Sequence, residues 1–233
     1  MKKLFLLTIL VLSVTFVSYA QTDQAVNPNN TTVVSIASQG TGYRGGTGVV
    51  YNPPRNIEGT VYLFDSWRNN VVIETDKQNF KLGNINFNAK RNSFESKIQG
   101  TDSIFTFNFK NINRLLVNNQ PFKKIYSPID GGYKIYEVIA EAGDYAIYKD
   151  YYIEIKEGNP NPMLVQTSDK YVMRDSYFVK KGKSFKRLKF KKSAILKSVG
   201  NKSKALEKYA SENGLSFKNE AELEKIIAHY GTL

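Results

Sequence analysis

The alternation of apolar and polar positions after residue 60 predicts a chain built mainly from β-strands. Between Thr60 and Tyr126, short runs of aromatic and β-branched residues recur with turn residues between them, and no run has the apolar spacing of a helix. Within one run, Phe105, Phe107 and Phe109 fall on the same face of a strand. Strands at this close spacing predict an antiparallel meander, folded as a sandwich or a partly closed barrel.

The β pattern continues to residue 190. Two long strands are predicted to join near Ala142-Gly143-Asp144. A lysine-rich hairpin follows, with its turn at Lys181-Gly182, where glycine allows the positive φ that tight turns need. Between them, Pro160 and Pro162 predict a loop, because proline cannot donate to a β ladder. We therefore expect one antiparallel β domain over residues 60–190.

The last segment, residues 191–233, changes to helical spacing and predicts a small C-terminal helical cap. Gly200 is expected to end the first of three short helices and Ser203 to cap the second. Asn219 and Glu222 resemble a capping box for the third. Each helix has one apolar face, formed by Ile195, Leu196 and Val199, then by Leu206, Tyr209 and Ala210, and last by Leu223, Ile226, Ile227 and Tyr230. Such helices are unstable alone, so we expect them to pack on one another or on the β domain.

Residues 1–20 have the pattern of a cleaved secretory signal peptide. Two lysines precede an apolar run from Leu4 to Val17, and Ser18-Tyr19-Ala20 places small residues at a cleavage site before Gln21. The run is shorter than the roughly 18–20 residues that a membrane-spanning helix needs. The sequence therefore predicts an exported mature chain with no transmembrane segment after cleavage, rather than a membrane-anchored one.

Residues 21–59 are rich in glycine and asparagine and predict a flexible or irregular arm. The arm contains Gly40-Thr41-Gly42-Tyr43-Arg44-Gly45, which matches the letters of a dinucleotide-binding fingerprint. That site needs a helix directly after the glycines, so that backbone N–H groups meet the pyrophosphate. Gly46, Gly48 and Pro53-Pro54 follow instead and disfavour a helix, so we predict no cofactor here.

Composition removes several classes of catalytic site. The sequence has no cysteine, hence no disulfide and no thiolate nucleophile or metal ligand. The single histidine, His229, lies in the last predicted helix, so neither a Ser-His-Asp triad nor a multi-histidine metal site is supported. We predict no catalytic, cofactor-binding or metal-binding residues. The enzymatic alternative is a glycan hydrolase with a carboxylate pair, and its candidate acid is Asp65, close to the only tryptophan, Trp67.

Positive charge is concentrated at the C-terminal end of the chain. The formal net charge is +12, and residues 176–233 carry 14 Lys and Arg against 5 Asp and Glu. The densest part interleaves cations with aromatic and aliphatic residues. These candidate binding residues are Lys180, Lys181, Lys183, Lys186, Arg187 and Lys189. The simpler interpretation is a hairpin whose apolar residues face the core while its lysines are solvated and protect an edge strand from aggregation.

These features favour a non-catalytic binding or structural module. A basic face attracts anions through a salt-sensitive field. For an exported protein the expected partners are an anionic glycan, a lipid or an envelope protein, and nucleic acid is not expected.

Three stretches, residues 59–88, 178–197 and 206–231, carry a resemblance to a known group. They contain an aromatic-Asp-x-Trp strand ending at Trp67, the lysine-rich hairpin and the closing helices. In these features the chain resembles a family of uncharacterised exported proteins of Bacteroidota. The resemblance implies a location in the periplasm or at the outer membrane surface of a Gram-negative bacterium, and it assigns no functional residue.

Overall fold

The computed structural model describes residues 57–98, 100–158 and 168–233. The predicted signal peptide, all but the last three residues of the predicted arm, and Pro160 and Pro162 lie outside the described residues.

Within these ranges, eleven strands form two antiparallel sheets. They are β1 Val71–Glu74, β2 Asn79–Leu82, β3 Ile85–Asn88, β4 Ser93–Lys97, β5 Ile104–Thr106, β6 Arg114–Val117, β7 Gln120–Ser127, β8 Gly132–Ala142, β9 Tyr145–Lys156, β10 Lys170–Lys181 and β11 Ser184–Leu188. The large sheet has the order β11-β10-β9-β8-β7-β6-β1-β2, and the small sheet has the order β3-β4-β5. The prediction of a mainly β, antiparallel fold is confirmed. The large sheet is open, because its edge strands β11 and β2 do not pair with each other.

The small sheet packs face to face on one half of the large sheet. The Phe87 and Phe122 rings stack across the two sheets with centroids 5.8 Å apart, and Phe94 meets Phe122 edge to face at 5.1 Å. Phe105, Phe107 and Phe109 are all buried in this core, as the alternating pattern predicts. This half of the molecule is therefore a sandwich and not a closed barrel.

In the described part of the chain, three helices cover the other half of the large sheet. They are α1 Lys192–Val199, α2 Ser203–Glu212 and α3 Glu220–Tyr230, with a short 3-10 turn at Gly200–Lys202 between the first two. Their buried faces share a core with strand residues that include Tyr145 and Ile147. The predicted C-terminal helical cap is confirmed. Within the described ranges, no helix is long and apolar enough to cross a bilayer.

Both covering layers lie on the same face of the large sheet, as the alternation of β9 shows. Tyr145 and Ile147 contact the helical core, and Tyr151 and Ile153, further along the same side of the strand, contact the core under the small sheet. The two layers therefore meet side by side above β9.

Two of the three predicted helix signals at Gly200, Ser203 and Asn219 are confirmed. Gly200 ends α1 with a φ of +74°, and the Asn219 side chain accepts a hydrogen bond from the Glu222 backbone N–H at 3.1 Å. The prediction that Ser203 caps the second helix is wrong. The N-cap position of α2 is occupied by Lys202, whose side chain makes no capping hydrogen bond. The 3-10 turn brings the backbone into helical geometry before Ser203, so that residue is already inside the helix.

Candidate functional site

The lysine-rich hairpin consists of β10 and β11. It turns at Gly182 and Lys183, one residue beyond the predicted turn, because Lys181 still pairs with Ser184. Gly182 has the positive φ expected of it, at +55°. Since side chains alternate along a strand, Lys186 and Leu188 face the helices, while Phe185 and Arg187 face the other side of the sheet.

A groove of about 540 Å³ separates β11 from α1. We call it the cationic groove. It is lined by Val179, Lys181, Ser184, Lys186, Arg187, Leu188, Lys189, Ala194, Lys197 and Ser198. Val179, Leu188 and Ala194 are its apolar residues, and the others carry amino, guanidinium or hydroxyl groups. The groove thus combines the positive charge and the apolar contact area that an anionic organic ligand requires.

The structure divides the six predicted binding residues into two groups. Lys181, Lys186, Arg187 and Lys189 line the cationic groove. Lys180 and Lys183 do not: Lys180 points to the opposite face with Phe185 as its cross-strand partner, and Lys183 lies in the exposed turn.

Lys181 has a structural role within the groove. Its ammonium group donates a hydrogen bond to the backbone oxygen of Val199 at 2.8 Å, at the end of α1. A cation here interacts favourably with the carbonyls at a helix C-terminus. Lys181 therefore ties the hairpin to the helical cap.

Arg187 borders the groove, but its guanidinium lies on the far face of the sheet, as its position on the strand requires. It is 5.7 Å from the centroid of the Phe178 ring, which is on the far face of the sheet. This contact is a cation–π interaction. Lys186 and Lys189 are consequently the predicted residues whose ammonium groups remain for a ligand.

Lys197, Ser184 and Ser198 were missed by sequence reasoning. Lys197 is an exposed residue of α1, and it joins the groove because that face of the helix meets the hairpin. The Ser198 hydroxyl is fixed by Tyr145 at 2.7 Å and by the backbone oxygen of Ile195 at 2.6 Å. Burial raises the pKa of Tyr145 to about 12, so this phenol is neutral at physiological pH.

The charge of the groove is not neutralised by the described chain. Within residues 57–98, 100–158 and 168–233, no carboxylate lies at ion-pair distance from Lys186, Lys189 or Lys197. The neighbouring Lys192, by contrast, binds Glu207 at 2.6 Å. Three exposed ammonium groups that no carboxylate of the described residues neutralises make this groove attractive to an external anion.

A second polar group lies where the small sheet and the helical cap meet, and we call it the junction cluster. Glu137 is buried and accepts a hydrogen bond from the Tyr151 hydroxyl at 2.5 Å. Glu220 binds Lys149 at 2.9 Å and accepts a hydrogen bond from Tyr177. These carboxylates are close enough to interact, and burial first, then the charge of Glu220, raises the pKa of Glu137. Both carboxylates are held by the protein's own side chains, which is typical of a structural network.

The candidate acid of the hydrolase hypothesis has a different setting. Asp65 is exposed and makes no hydrogen bond or ion pair with any residue in the described part of the chain. The nearby Trp67 ring contacts Tyr62 at 4.6 Å and the Lys97 ammonium at 5.1 Å, and neither neighbour is a carboxylate. Asp65 therefore gains no support as one of a catalytic pair.

Comparison with known proteins adds no assignment. No family model, no curated protein and no solved structure matches the chain. Among the residues that the structure describes, no three His, Cys, Asp or Glu side chains are placed to hold a metal ion.

Proposed function

We propose that the chain is an exported, non-catalytic binding module of a Gram-negative envelope, and that its cationic groove takes an acidic group of an envelope glycan. One observation carries this proposal: Lys186, Lys189 and Lys197 surround a groove of about 540 Å³ and have no carboxylate partner in the described ranges. Export is supported by the signal-peptide pattern of residues 1–20.

The groove suits a glycan because of its mixed chemistry. Ammonium groups attract carboxylate or sulfate groups as point charges. Leu188 and Ala194 supply apolar surface against which the carbon skeleton of a sugar can lie. Binding of this kind depends on ionic strength, because the lysines are exposed.

The test is a comparison of two triple variants with the same change of charge. One neutralises the groove: Lys186→Gln, Lys189→Gln and Lys197→Gln. The matched control neutralises three exposed lysines outside it: Lys180→Gln, Lys183→Gln and Lys204→Gln. We expect the groove variant to bind immobilised dextran sulfate about tenfold more weakly at moderate salt, since each exposed charge contact contributes roughly 0.2–1 kcal/mol. The control should lose much less.

Equal weakening of both variants would mean that binding follows net charge and not the groove, and would overturn the proposal. Thermal unfolding of all three proteins verifies that the fold is retained. Vesicles that contain phosphatidylglycerol form a second arm, and stronger groove-dependent binding to vesicles than to dextran sulfate would replace the glycan with a lipid headgroup.

A further inference from the structure

A second groove shares no lining residue with the cationic groove. It has a volume of about 280 Å³ and runs between the small sheet and the β7–β8 hairpin. We call it the tyrosine groove. Its lining residues are Asn92, Ser93, Thr106, Phe107, Asn108, Phe109, Lys124, Tyr133 and Ile135. At about 30 Å³ per water molecule in the liquid, the space equals that of about nine waters, which one sugar ring can fill.

Two exposed aromatic rings lie side by side on the β7–β8 hairpin, and one of them, Tyr133, lines the groove. Tyr126 and Tyr133 are cross-strand partners on β7 and β8, and 51% and 67% of their surfaces are exposed. Their rings meet edge to face with centroids 5.4 Å apart. Large side chains are exposed singly on most proteins, so an adjacent exposed pair indicates a contact surface. The π face of each ring is negative and attracts the C–H groups on the face of a pyranose.

A cation adjoins the aromatic pair. The Lys124 ammonium lies 5.8 Å from the centroid of Tyr133, and Lys124 lies two residues before Tyr126 on the same side of β7. Within the described ranges no carboxylate is at ion-pair distance from Lys124. A sugar carboxylate stacked beside Tyr133 would supply the missing partner. Thr106 belongs to the opposite wall of the groove.

The walls of the tyrosine groove are held in place by the fold. The Asn92 side chain donates to the Ile135 backbone oxygen at 2.9 Å and accepts from the Ile135 backbone N–H at 2.6 Å, which fastens the small sheet to β8. Behind the groove, Phe107 and Phe109 are buried in the core between the sheets. A preformed site loses little entropy when it binds, which favours recognition of a small ligand.

We propose that the tyrosine groove binds one pyranose unit of a glycan, and that Lys124 gives preference to a unit with a carboxylate. Tyr133 supplies the stacking face and Lys124 supplies the charge. This site is separate from the cationic groove and does not require it.

Trigalacturonate and its methyl ester are the probes, because they share ring stereochemistry and differ in charge. Saturation-transfer NMR and affinity titration are done in the triple variant Lys186→Gln, Lys189→Gln and Lys197→Gln, so that the cationic groove does not contribute. We expect the acid to bind more tightly than the ester. Tyr133→Ala should abolish detectable binding of both probes, while Tyr133→Phe, which keeps the ring, should retain it. Lys124→Gln should weaken the acid about fivefold and leave the ester unchanged.

The matched control is Tyr152→Ala, which removes a ring that is 41% exposed elsewhere on the sheet and should leave both affinities unchanged. The proposal is overturned if binding survives Tyr133→Ala. It is also overturned if neither probe binds to the triple variant before Tyr133 or Lys124 is changed. Concentration-dependent dimerisation that Tyr133→Ala abolishes in the absence of sugar binding overturns it too, because the tyrosines would then be a contact between two copies of the chain. Failure here leaves the dextran sulfate result unaffected, and the reverse also holds.

Discussion

At the scale of single residues, the junction cluster contains a buried carboxyl whose protonation is linked to folding. Glu137 is buried next to the neutral hydroxyl of Tyr151 and near the Lys149–Glu220 pair. Desolvation is the first cause of its raised pKa, and Tyr151 and Lys149 only partly oppose it. A carboxyl with a raised pKa in the folded state binds its proton more tightly there than in the unfolded chain. Its contribution to stability is therefore complete below its ordinary value of 4.5 and is lost as the pH rises through the folded pKa.

The substitution Glu137→Gln tests this linkage. Glutamine is nearly the same size, can accept the Tyr151 hydrogen bond through its carbonyl oxygen and does not titrate. We expect the wild type to lose free energy of unfolding relative to the variant as the pH rises from 4 to 8. Urea unfolding at several pH values measures the difference. A difference that is constant across this range would show that Glu137 is ionised with an ordinary pKa, and Glu141→Gln, an exposed carboxylate on β8, is the control.

In the candidate site, residues of the same type have different roles. Lys181, Lys186 and Lys197 are the same residue type, yet Lys181 is engaged by the end of α1 and the other two are free of carboxylate partners in the described chain. The sequence predicted Lys186 as a binding residue because it lies in a dense run of cations. It offered no reason to add Lys197 or to give Lys181 a structural role.

At the scale of elements, the sequence predicted a helix end correctly where that end depends only on the residues next to it. Gly200 ends α1 and Asn219 caps α3 because a positive φ and a short polar acceptor are local requirements. The other half of the predicted capping box does not match. In a capping box the Glu222 carboxylate would accept from the backbone N–H of the N-cap residue, but here it accepts from the Ser216 backbone N–H at 2.7 Å. The prediction for Ser203 was wrong because the preceding 3-10 turn is already helical, and the sequence around Ser203 does not show that turn.

The cap of α3 gives a prediction at this scale. Asn219→Ala removes the acceptor for the Glu222 N–H and should cost about 1 kcal/mol. For a protein of this size that corresponds to a decrease in Tm of about 2–4 °C. Asn219→Asp keeps an acceptor oxygen and should stay close to the wild type. Thermal unfolding followed by circular dichroism makes the comparison, and equal Tm values for wild type and Asn219→Ala would show that the cap contributes nothing.

At the scale of the whole molecule, the burial of tyrosine side chains makes the stability of the fold depend on pH in the alkaline range. The large sheet buries aromatic residues on both faces, and Tyr145 lies under the helices while Tyr136 and Tyr148 lie on the opposite face. Burial raises the pKa of each of these three phenols to about 12, from an ordinary value of 10.0. Their contribution to stability is complete below pH 10.0 and is lost as the pH rises through about 12.

We therefore expect cooperative alkaline unfolding between pH 10 and 12. Tyr148→Phe removes one of the linked protons and should shift the midpoint to higher pH, while Tyr133→Phe, at an exposed position, should leave it unchanged. Near-ultraviolet absorbance follows ionisation of the phenols, and Trp67, which contacts Lys97 of β4, reports by fluorescence on the small-sheet end of the molecule. An identical midpoint for wild type and Tyr148→Phe would contradict the assignment.

The amino-acid sequence by itself determined the class of fold and the order of its elements. Alternation along residues 60–190 and helical spacing along residues 191–233 are local periodicities, and the confirmed antiparallel sheets and helical cap follow from them. It also located the basic hairpin, because a run of cations is visible in composition alone. The export signal and the envelope location remain predictions from the sequence.

Only the tertiary structure decided which of these residues act together. The open large sheet, the placement of both covering layers on one face, and the two grooves depend on contacts between segments far apart in the chain. Lys197 joins Lys186 because α1 packs beside β11, and Tyr133 meets Lys124 beside Thr106 because the small sheet folds over the β7–β8 hairpin. Local periodicity states which side of an element is apolar, but not which other element will cover it, since that depends on the packing of the whole core.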